Sequence, residues 1–322
     1  MSALASMNRL VTIGETMAVF IHDPAGPAHS YRLTAAGAES NVAIAAARLG
    51  LPARWLSRLG EDELGTFVRD FVADHGVDVV VDWDPSRPTA ACVKEVRPFN
   101  TRMRYYRNTS AARRLDLLDL ALVEDTDHLH LTGVTAALSP EDRQLLETLL
   151  RRRRGLGRTS FDVNYRAQLW SGPTEAAACL LPLAEAADLV FIGDDEARSL
   201  LGTDDPAEVA AALVRKAGDE VVLKAGGGAA LLLATDGVVA AEPARTVEVV
   251  DLTGAGDAFA AGYLVARSWG WSVRGRLRLG HLVASRAIGV AGDIGPDVDD
   301  AELVELARTT EESLPETIGG RA

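Results

Sequence analysis

Two kinds of apolar pattern alternate along the chain. Short apolar runs, rich in β-branched residues as buried strands are, occur at residues 10–14, 53–59, 128–131, 159–163, 189–192 and 221–224. Longer segments with helical spacing of apolar positions occur at residues 38–49, 64–75, 140–154, 174–187, 206–217 and 258–269. This alternation predicts a mainly parallel, doubly wound sheet covered by helices on both faces, which is an α/β fold of three layers.

Two segments interrupt the alternation. Residues 17–34 and 88–107 contain extended pieces joined by turns, and residues 97–100, Arg-Pro-Phe-Asn, are typical of a hairpin turn. We predict that these two segments form a small β lid on the α/β body. The polar stretch 309–322 is predicted to be a flexible tail, which leaves a single domain over residues 9–308.

Composition excludes several classes of function. The 322 residues are 48% hydrophobic, as in a globular protein with a large core. The formal net charge of −13 argues against nucleic-acid binding, because the phosphate backbone would be repelled. No run approaches the ~18 apolar residues of a membrane span, and the start lacks a signal-peptide pattern. Cys92 and Cys179 lie far apart, so we expect a reducing, cytoplasmic setting without a disulfide framework.

The strongest chemical signal is Asp-Leu-Thr-Gly-Ala-Gly-Asp at residues 251–257, just before the helix predicted at 258–269. Glycines allow a tight turn, and the start of a helix adds free N–H groups and a partial positive charge. Residues 254–256 therefore predict an anion hole suited to phosphate. A carboxylate at the same place, Asp257, suits a base that deprotonates a hydroxyl attacking phosphorus. The alternative is an ordinary aspartate at a helix N-terminus.

Other nucleotide and hydrolase motifs are absent from the sequence. There is no G-x-x-x-x-G-K-[ST], and no G-x-G-x-x-G follows the first strand. H-E-x-x-H and G-x-S-x-G are also missing. These absences argue against P-loop, dinucleotide-binding, zinc-protease and serine-hydrolase functions.

Residues 251–257 resemble the D-T-x-G-A-G-D signature of the ribokinase-like (PfkB) carbohydrate kinases. Residues 36–43, Ala-Gly-Ala-Glu-Ser-Asn-Val-Ala, are similar to the second half of that family's pattern, and the two stretches have the expected order and separation. The resemblance extends over about residues 9–308. Within the family it is strongest to the 2-keto-3-deoxygluconate kinases, through stretches at residues 104–107, 129–140 and 161–170.

The resemblance implies a ribokinase-like fold and ATP-dependent phosphorylation of the primary hydroxyl of a sugar acid. It implies that Asp257 is the catalytic base and that Gly254, Ala255 and Gly256 form the anion hole. The implied sugar-binding residues are Gly37, Asn41, Tyr105, Arg107 and Arg166, with the arginines suited to a carboxylate. The implied nucleotide-binding residues are Thr253, Lys224, Gly226, Gly228 and Glu196, the last one near a water on Mg²⁺ carried by ATP.

The same resemblance allows a monovalent cation, and the exposed edges of the lid predict a homodimer. Four positions depart from the family pattern: Ala36, Cys92, Gly193 and Ala229. Three alternatives remain open from the sequence. They are a fructokinase or another neutral-sugar kinase, a catalytically silent regulator that binds sugar or nucleotide, and a nucleotide-cofactor oxidoreductase.

Overall fold

The computed structural model describes residues 9–23, 25–27, 29–95, 101–123, 126–153, 159–215, 218–235 and 237–315. Strands are numbered in chain order, and nine of them form the main sheet. These are β1 (Leu10–Ile13), β4 (Ala53–Gly60), β5 (Asp78–Asp84), β8 (His128–Thr132), β9 (Thr159–Asp162), β10 (Leu189–Gly193), β11 (Glu220–Lys224), β12 (Ala229–Ala234) and β13 (Gly237–Pro243). Their order in the sheet is β13-β12-β11-β10-β9-β8-β1-β4-β5.

Seven neighbouring strands, from β11 to β5, are parallel, and β12 and β13 extend the sheet antiparallel. Every strand predicted for the α/β body lies in the parallel part. Successive side chains of a strand point to opposite faces of the sheet, and this explains the layers. Leu10 and Val11, adjacent in β1, are both fully buried but belong to different apolar cores on opposite faces. The predicted α/β fold of three layers is therefore confirmed.

Ten helices are present in the described part of the chain, most of them packed on the two faces of the sheet. They are α1 (Ala38–Arg48), α2 (Glu63–Asp74), α3 (Gly133–Ala136), α4 (Pro140–Arg153), α5 (Pro173–Ala186), α6 (Asp194–Leu201), α7 (Pro206–Leu213), α8 (Ala255–Ser268), α9 (Val273–Ala287) and α10 (Asp300–Thr310). Short 3-10 helices occur at Ala111–Leu117, Leu120–Val123 and Ala167–Leu169. Within the described ranges, no helix has the length and apolar character that a membrane span needs.

A second sheet of four strands lies apart from the main one. It contains β2 (Met17–His22), β3 (Tyr31–Ala36), β6 (Ala91–Glu95) and β7 (Arg102–Tyr106), in the order β3-β2-β6-β7. Its strands come from the two segments predicted for the lid, and its action as a lid stays a prediction. The hairpin turn predicted at residues 97–100 lies outside the described residues.

Residues 309–315, in the stretch predicted to be a tail, contact the α/β body. Helix α10 extends to Thr310, and the indole N–H of Trp271 donates to the backbone oxygen of Ser313 at 2.8 Å. The carboxylate of Glu312 accepts from the backbone N–H of Ser272, also at 2.8 Å. These contacts connect residues 312 and 313 to the start of α9, and the flexibility of the stretch stays a prediction. Residues 316–322 lie outside the described part.

Candidate active site

A cleft of about 900 Å³ opens at the carboxyl ends of β9, β10 and β11, which are neighbours in the sheet. These strands end at Asp162, Gly193 and Lys224, and all three residues line the cleft. The start of α8 forms another wall, and Tyr105 of the second sheet contributes to it. In open α/β sheets, ligands bind at this edge, and the volume is within the range of small-molecule sites.

Asp257 lies in the first turn of α8 and is buried beside the cleft. The side-chain amide of Asn41 donates to its Oδ2 at 2.9 Å, and the side-chain amide of Asn164 donates to its Oδ1 at 3.1 Å. Burial raises the pKa of Asp257 to about 6, although the Asn41 hydrogen bond and the charge of Arg166 act to lower it. The carboxylate is thus ionised at neutral pH and has the pKa of an effective general base.

Helix α8 begins at Ala255, three residues earlier than predicted, and Gly254 is its N-cap. Gly254 has φ +81°, and a Cβ there would overlap the backbone carbonyl of Asp293, so the position needs glycine. The N–H and hydroxyl of Thr253 donate to Oδ1 of Asp251 at 3.2 and 2.8 Å, which fixes the turn into the helix. The first-turn amides of a helix have no intrahelical acceptor, so they are free to bind an anion.

Lys224 places a positive charge at this helix start. Its Nζ contacts Oδ2 of Asp162 at 2.7 Å, and a Cβ on Gly256 would lie only 3.3 Å from the same Nζ. Burial lowers the pKa of Lys224, but the charges of Asp162 and Glu196 outweigh it and raise the pKa overall. The ammonium therefore stays charged next to the free amides of α8, and together they suit a phosphate.

Glu196 holds two parts of the cleft wall together. Its Oε1 accepts from the backbone N–H of Tyr165 and its Oε2 from that of Gly193, each at 2.7 Å. Burial raises the pKa of Glu196, and the charge of Asp162 acts in the same direction. These bonds connect the loop after β9 to the start of α6. A contact between Glu196 and a magnesium-bound water stays a prediction.

The two arginines predicted to bind substrate have different surroundings. Arg166 lines the cleft and is exposed, and across the described ranges no carboxylate forms an ion pair with it. Arg107 forms an ion pair with the buried Glu15, Nη2 to Oε2 at 2.6 Å, and is only 7% exposed. Arg107 is also absent from the described lining of the cleft. Its predicted contact with substrate stays a prediction, and in this structure the carboxylate of Glu15 balances its charge.

The comparisons with known proteins agree with this geometry. A family model described as pfkB family carbohydrate kinase matches residues 7–300. The chain belongs to the pfkB family. It is 33% identical over 293 residues to the 2-dehydro-3-deoxygluconokinase of Bacillus subtilis (strain 168), covering 88% of this chain and 90% of that protein. The family resemblance seen at residues 251–257 is confirmed, and the chain is a carbohydrate kinase.

Two further relatives support the same assignment. The 2-dehydro-3-deoxygalactonokinase of Haloferax volcanii is 35% identical over 297 residues, covering 88% of this chain and 92% of that protein. A crystal structure of a PfkB protein from Polaromonas sp. JS666 superposes with a TM-score of 0.77 at 33% identity, covering 87% of this chain and 95% of that one. The similarity of this pfkB kinase to these relatives, in sequence and in fold, therefore extends over nearly their whole length.

The remaining predicted residues of the kinase lie in or behind the cleft wall. Gly226 and Thr253 line the cleft, whereas Gly228 donates its N–H to the oxygen of Ala225 at 2.7 Å and closes the turn between β11 and β12. Gly37 is the N-cap of α1, where a Cβ would overlap the backbone oxygen of Glu15. It supports Asn41 by accepting the backbone N–H of that residue at 2.8 Å.

Two polar residues of the pfkB kinase site were missed in the sequence analysis. Asp162 holds Lys224, and Asn164 holds Asp257 from the side opposite Asn41. Asp162 lies near the end of the run predicted as a strand at 159–163 and Asn164 follows it directly, and polar residues at the carboxyl end of a parallel strand are a usable signal for a site. Asn164 also has φ +41°, a conformation that asparagine tolerates better than most residues.

Proposed function

We propose that this carbohydrate kinase transfers the γ-phosphoryl group of ATP to the primary hydroxyl of a sugar acid, most closely 2-keto-3-deoxygluconate (also written 2-dehydro-3-deoxygluconate). The observation that carries the proposal is Arg166, an exposed guanidinium in the cleft that no described carboxylate pairs with. A guanidinium binds a carboxylate in bidentate fashion, and a neutral sugar would leave this charge unused. The names of two relatives, which refer to 2-dehydro-3-deoxy sugar acids, support the same substrate class.

The chain's own residues account for the chemistry of transfer. Ionised Asp257 accepts the proton of the primary hydroxyl as its oxygen attacks the γ-phosphorus and ADP leaves. The first-turn amides of α8 and the ammonium of Lys224 stabilise the negative charge on the transferred group. Asn41 and Asn164 orient the base through its two oxygens.

Magnesium bound to the phosphates of ATP would neutralise part of their charge. Among the described residues, no group of three or more His, Cys, Asp or Glu side chains is arranged to hold a metal ion. Entry of Mg²⁺ together with ATP is what the family resemblance implies, and it stays a prediction. The second sheet would exclude water, which otherwise competes with the sugar as acceptor.

The first experiment measures ADP release with Mg-ATP and a panel of acceptors. The panel contains 2-keto-3-deoxygluconate, 2-keto-3-deoxygalactonate, gluconate, fructose and ribose, each tested with the wild type and with Asp257→Asn. We expect turnover on a keto acid that the variant abolishes. Turnover on fructose or ribose in place of the keto acids would support the neutral-sugar alternative. ATP binding without turnover on any acceptor would support a silent regulator.

A pair of arginine variants tests the carboxylate contact. At about pH 8, where Asp257 stays ionised without the nearby charge of Arg166, Arg166→Met should lower kcat/KM for the keto acid by about 10- to 100-fold, since it removes a hydrogen-bonded ion pair, and should change any residual turnover of fructose much less. Arg107→Met is the matched control, because it removes the same charge but breaks the ion pair with Glu15 instead. We expect it to lower the melting temperature and to affect both acceptors alike. Equal losses for both acceptors in Arg166→Met would contradict the proposal.

The monovalent cation that the family resemblance allows stays a prediction. The same assay tests it by replacing potassium with tetramethylammonium at constant ionic strength. Potassium-dependent turnover would support the cation, and equal turnover in both salts would exclude a requirement for it.

We further propose a homodimer formed through the second sheet. Its two edge strands, β3 and β7, expose large apolar side chains at Tyr31, Leu33 and Tyr106. Exposed strand edges of this kind pair readily with another copy. Sedimentation of the wild type and of Tyr106→Asp tests this: a dimer that the variant dissociates supports it, and a monomeric wild type contradicts it. The cytoplasmic location stays a prediction, one that fractionation of the source cells would check.

A further inference from the structure

A fully buried lysine joins the second sheet to the main body. Lys94 lies in β6 with 0% of its surface exposed. Its Nζ contacts Oδ2 of Asp251 at 2.6 Å and Oδ1 of Asp293 at 2.9 Å. Burial lowers the pKa of Lys94, but the two carboxylates outweigh this effect and raise it, so the ammonium is charged. A cation supplied by one sheet is therefore enclosed by two anions of the other part of the protein.

Both carboxylates belong to residues that shape the start of α8. Oδ1 of Asp251 accepts two hydrogen bonds from Thr253, immediately before the N-cap. The backbone of Asp293 packs so closely on Gly254 that a Cβ at Gly254 would overlap it. Lys94 thus contacts the residues on either side of the turn that presents the first-turn amides to the cleft.

The position of Asp293 depends on such contacts, because it lies in the irregular segment between α9 and α10. Two other side chains hold this segment: Arg32 of β3 donates to the oxygen of Ala291, and Arg48 of α1 donates to the oxygen of Gly295, each at 2.7 Å. Without the ammonium, the buried carboxylate of Asp251 and the half-buried carboxylate of Asp293 would lose their shared counter-charge. Their repulsion would move the segment away from Gly254.

We propose that Lys94 is a positioning residue of this kinase, whose ammonium holds Asp251 and Asp293 so that the Gly254 turn presents its amides to the transferred phosphoryl group. Lys94 touches neither the cleft nor the base. The packing of the second sheet on the body therefore determines the geometry of the anion hole, and the buried ammonium of Lys94 is the group that connects the two.

Chemical rescue tests this role. Lys94→Ala leaves a cavity where the ammonium was, and we expect its kcat to fall roughly 100-fold, as displaced catalytic groups do, while KM for the acceptor stays within about threefold. Methylammonium should restore at least about a tenth of the lost rate by supplying the missing cation, whereas tetramethylammonium, too large for the cavity, should restore none. The acceptor is whichever sugar the wild type turns over fastest, so the result does not depend on which acid is the substrate.

Arg104→Ala is the matched control, because it removes one positive charge from an exposed position of β7 in the same sheet. Its kcat should equal that of the wild type with or without methylammonium. A folded Lys94→Ala protein with unchanged kcat, or with a low kcat that methylammonium does not raise, would overturn the proposal.

A second variant covers the case in which Lys94→Ala does not fold. Lys94→Met combined with Asp293→Asn removes the cation together with one of the two anions, so less buried charge is left unpaired. We expect this protein to melt cooperatively and to keep a kcat well below that of the wild type, with a nearly unchanged KM for the acceptor. Wild-type kcat in the folded double variant would overturn the positioning role.

Discussion

At the scale of single residues, Asp257 is tuned by opposing influences. Burial raises its pKa to about 6, and the hydrogen bond from Asn41 holds the pKa below what burial alone would give. The base acts only when ionised, so kcat/KM should fall as the pH decreases through about 6 and level off above it. The Asn41→Ala variant should inflect at a higher pH, because it loses a bond to the charged form.

The measurement is the pH profile of kcat/KM for the two proteins, with Asp257→Asn as the inactive reference at every pH. The same inflection in wild type and Asn41→Ala would show that the amide orients the base without tuning it. A profile that increases with acidity would contradict the assignment of Asp257 as a base.

The buried carboxyl group of Glu39 leads to a prediction about the pH dependence of stability. It is fully buried in α1, and its Oε1 accepts from the hydroxyls of Thr132 and Thr135 at 2.7 and 2.6 Å. Burial raises its pKa from 4.5 to about 7, in spite of these bonds. Since the folded-state pKa lies above the unfolded one, its contribution to stability is complete below the unfolded pKa and decreases as the pH increases through about 7.

Glu39→Gln removes the ionisation, so the variant should lose less stability than the wild type does as the pH increases from about 4.5 to about 7. The difference amounts to at most about 3 kcal/mol, from the size of the shift and the linkage relation. Thermal melts below pH 4.5 and above about pH 7 measure it, with Glu63→Gln, at an exposed position of α2, as the control. Parallel pH dependence in Glu39→Gln and the wild type would contradict the buried titration.

The candidate site was predictable where one local segment carries its chemistry. Residues 254–257 bring together glycines, a helix start and a carboxylate in one stretch, so the sequence predicts their joint use. The roles of Asn164 and of Asp162 depend on strands that meet only in the folded sheet. The ion pair of Arg107 with Glu15 joins two segments in the same way, and no local pattern shows it.

At the scale of elements, helix α8 has a left-handed glycine at each end, in contrasting surroundings. Gly254 has φ +81° and is in close contact with Asp293, whereas Gly270 has φ +77° and nothing within 4 Å of where a Cβ would be. Gly254→Ala should therefore lower kcat about 100-fold or more by displacing the anion-hole amides. Gly270→Ala should cost about 1 kcal/mol of stability through backbone strain alone.

Steady-state kinetics and thermal melts of the two variants separate these effects. Equal kcat values would show that the Gly254 turn tolerates a side chain. That result would also weaken the argument for an anion hole at this helix start.

The strands that are most buried were the easiest to predict from the sequence. The strands of the parallel core are apolar on both faces and stand out in the sequence. Strand β5 lies at an edge of the sheet and has acidic residues at Asp78, Asp82 and Asp84, so its pattern is not that of a buried strand. Strand β12 is rich in alanine, which has low strand preference, and β13 begins with Gly and ends with Pro; the pairing of β12 with β11 and of β13 with β12 decides their conformation.

At the scale of the whole molecule, the segment after α10 contributes to stability. A chain ending at Arg308 loses the hydrogen bond from Trp271 to Ser313 and the packing of Leu314 on the core. We expect a loss of about 2 kcal/mol in the free energy of unfolding. A chain ending at Pro315 keeps these contacts and should melt like the full-length protein. Identical melting of all three would mean that the contacts add no stability.

The base and its two amide partners come from distant parts of the chain. Asn41 precedes Asp257 by 216 residues and Asn164 precedes it by 93. A fragment that begins after Asn164 can contain the whole glycine-rich signature and still hold Asp257 as an ordinary solvated carboxylate. Such a fragment lacks both amides that contact the carboxylate, so the signature alone does not assemble the site and must be joined to the N-terminal half of the chain.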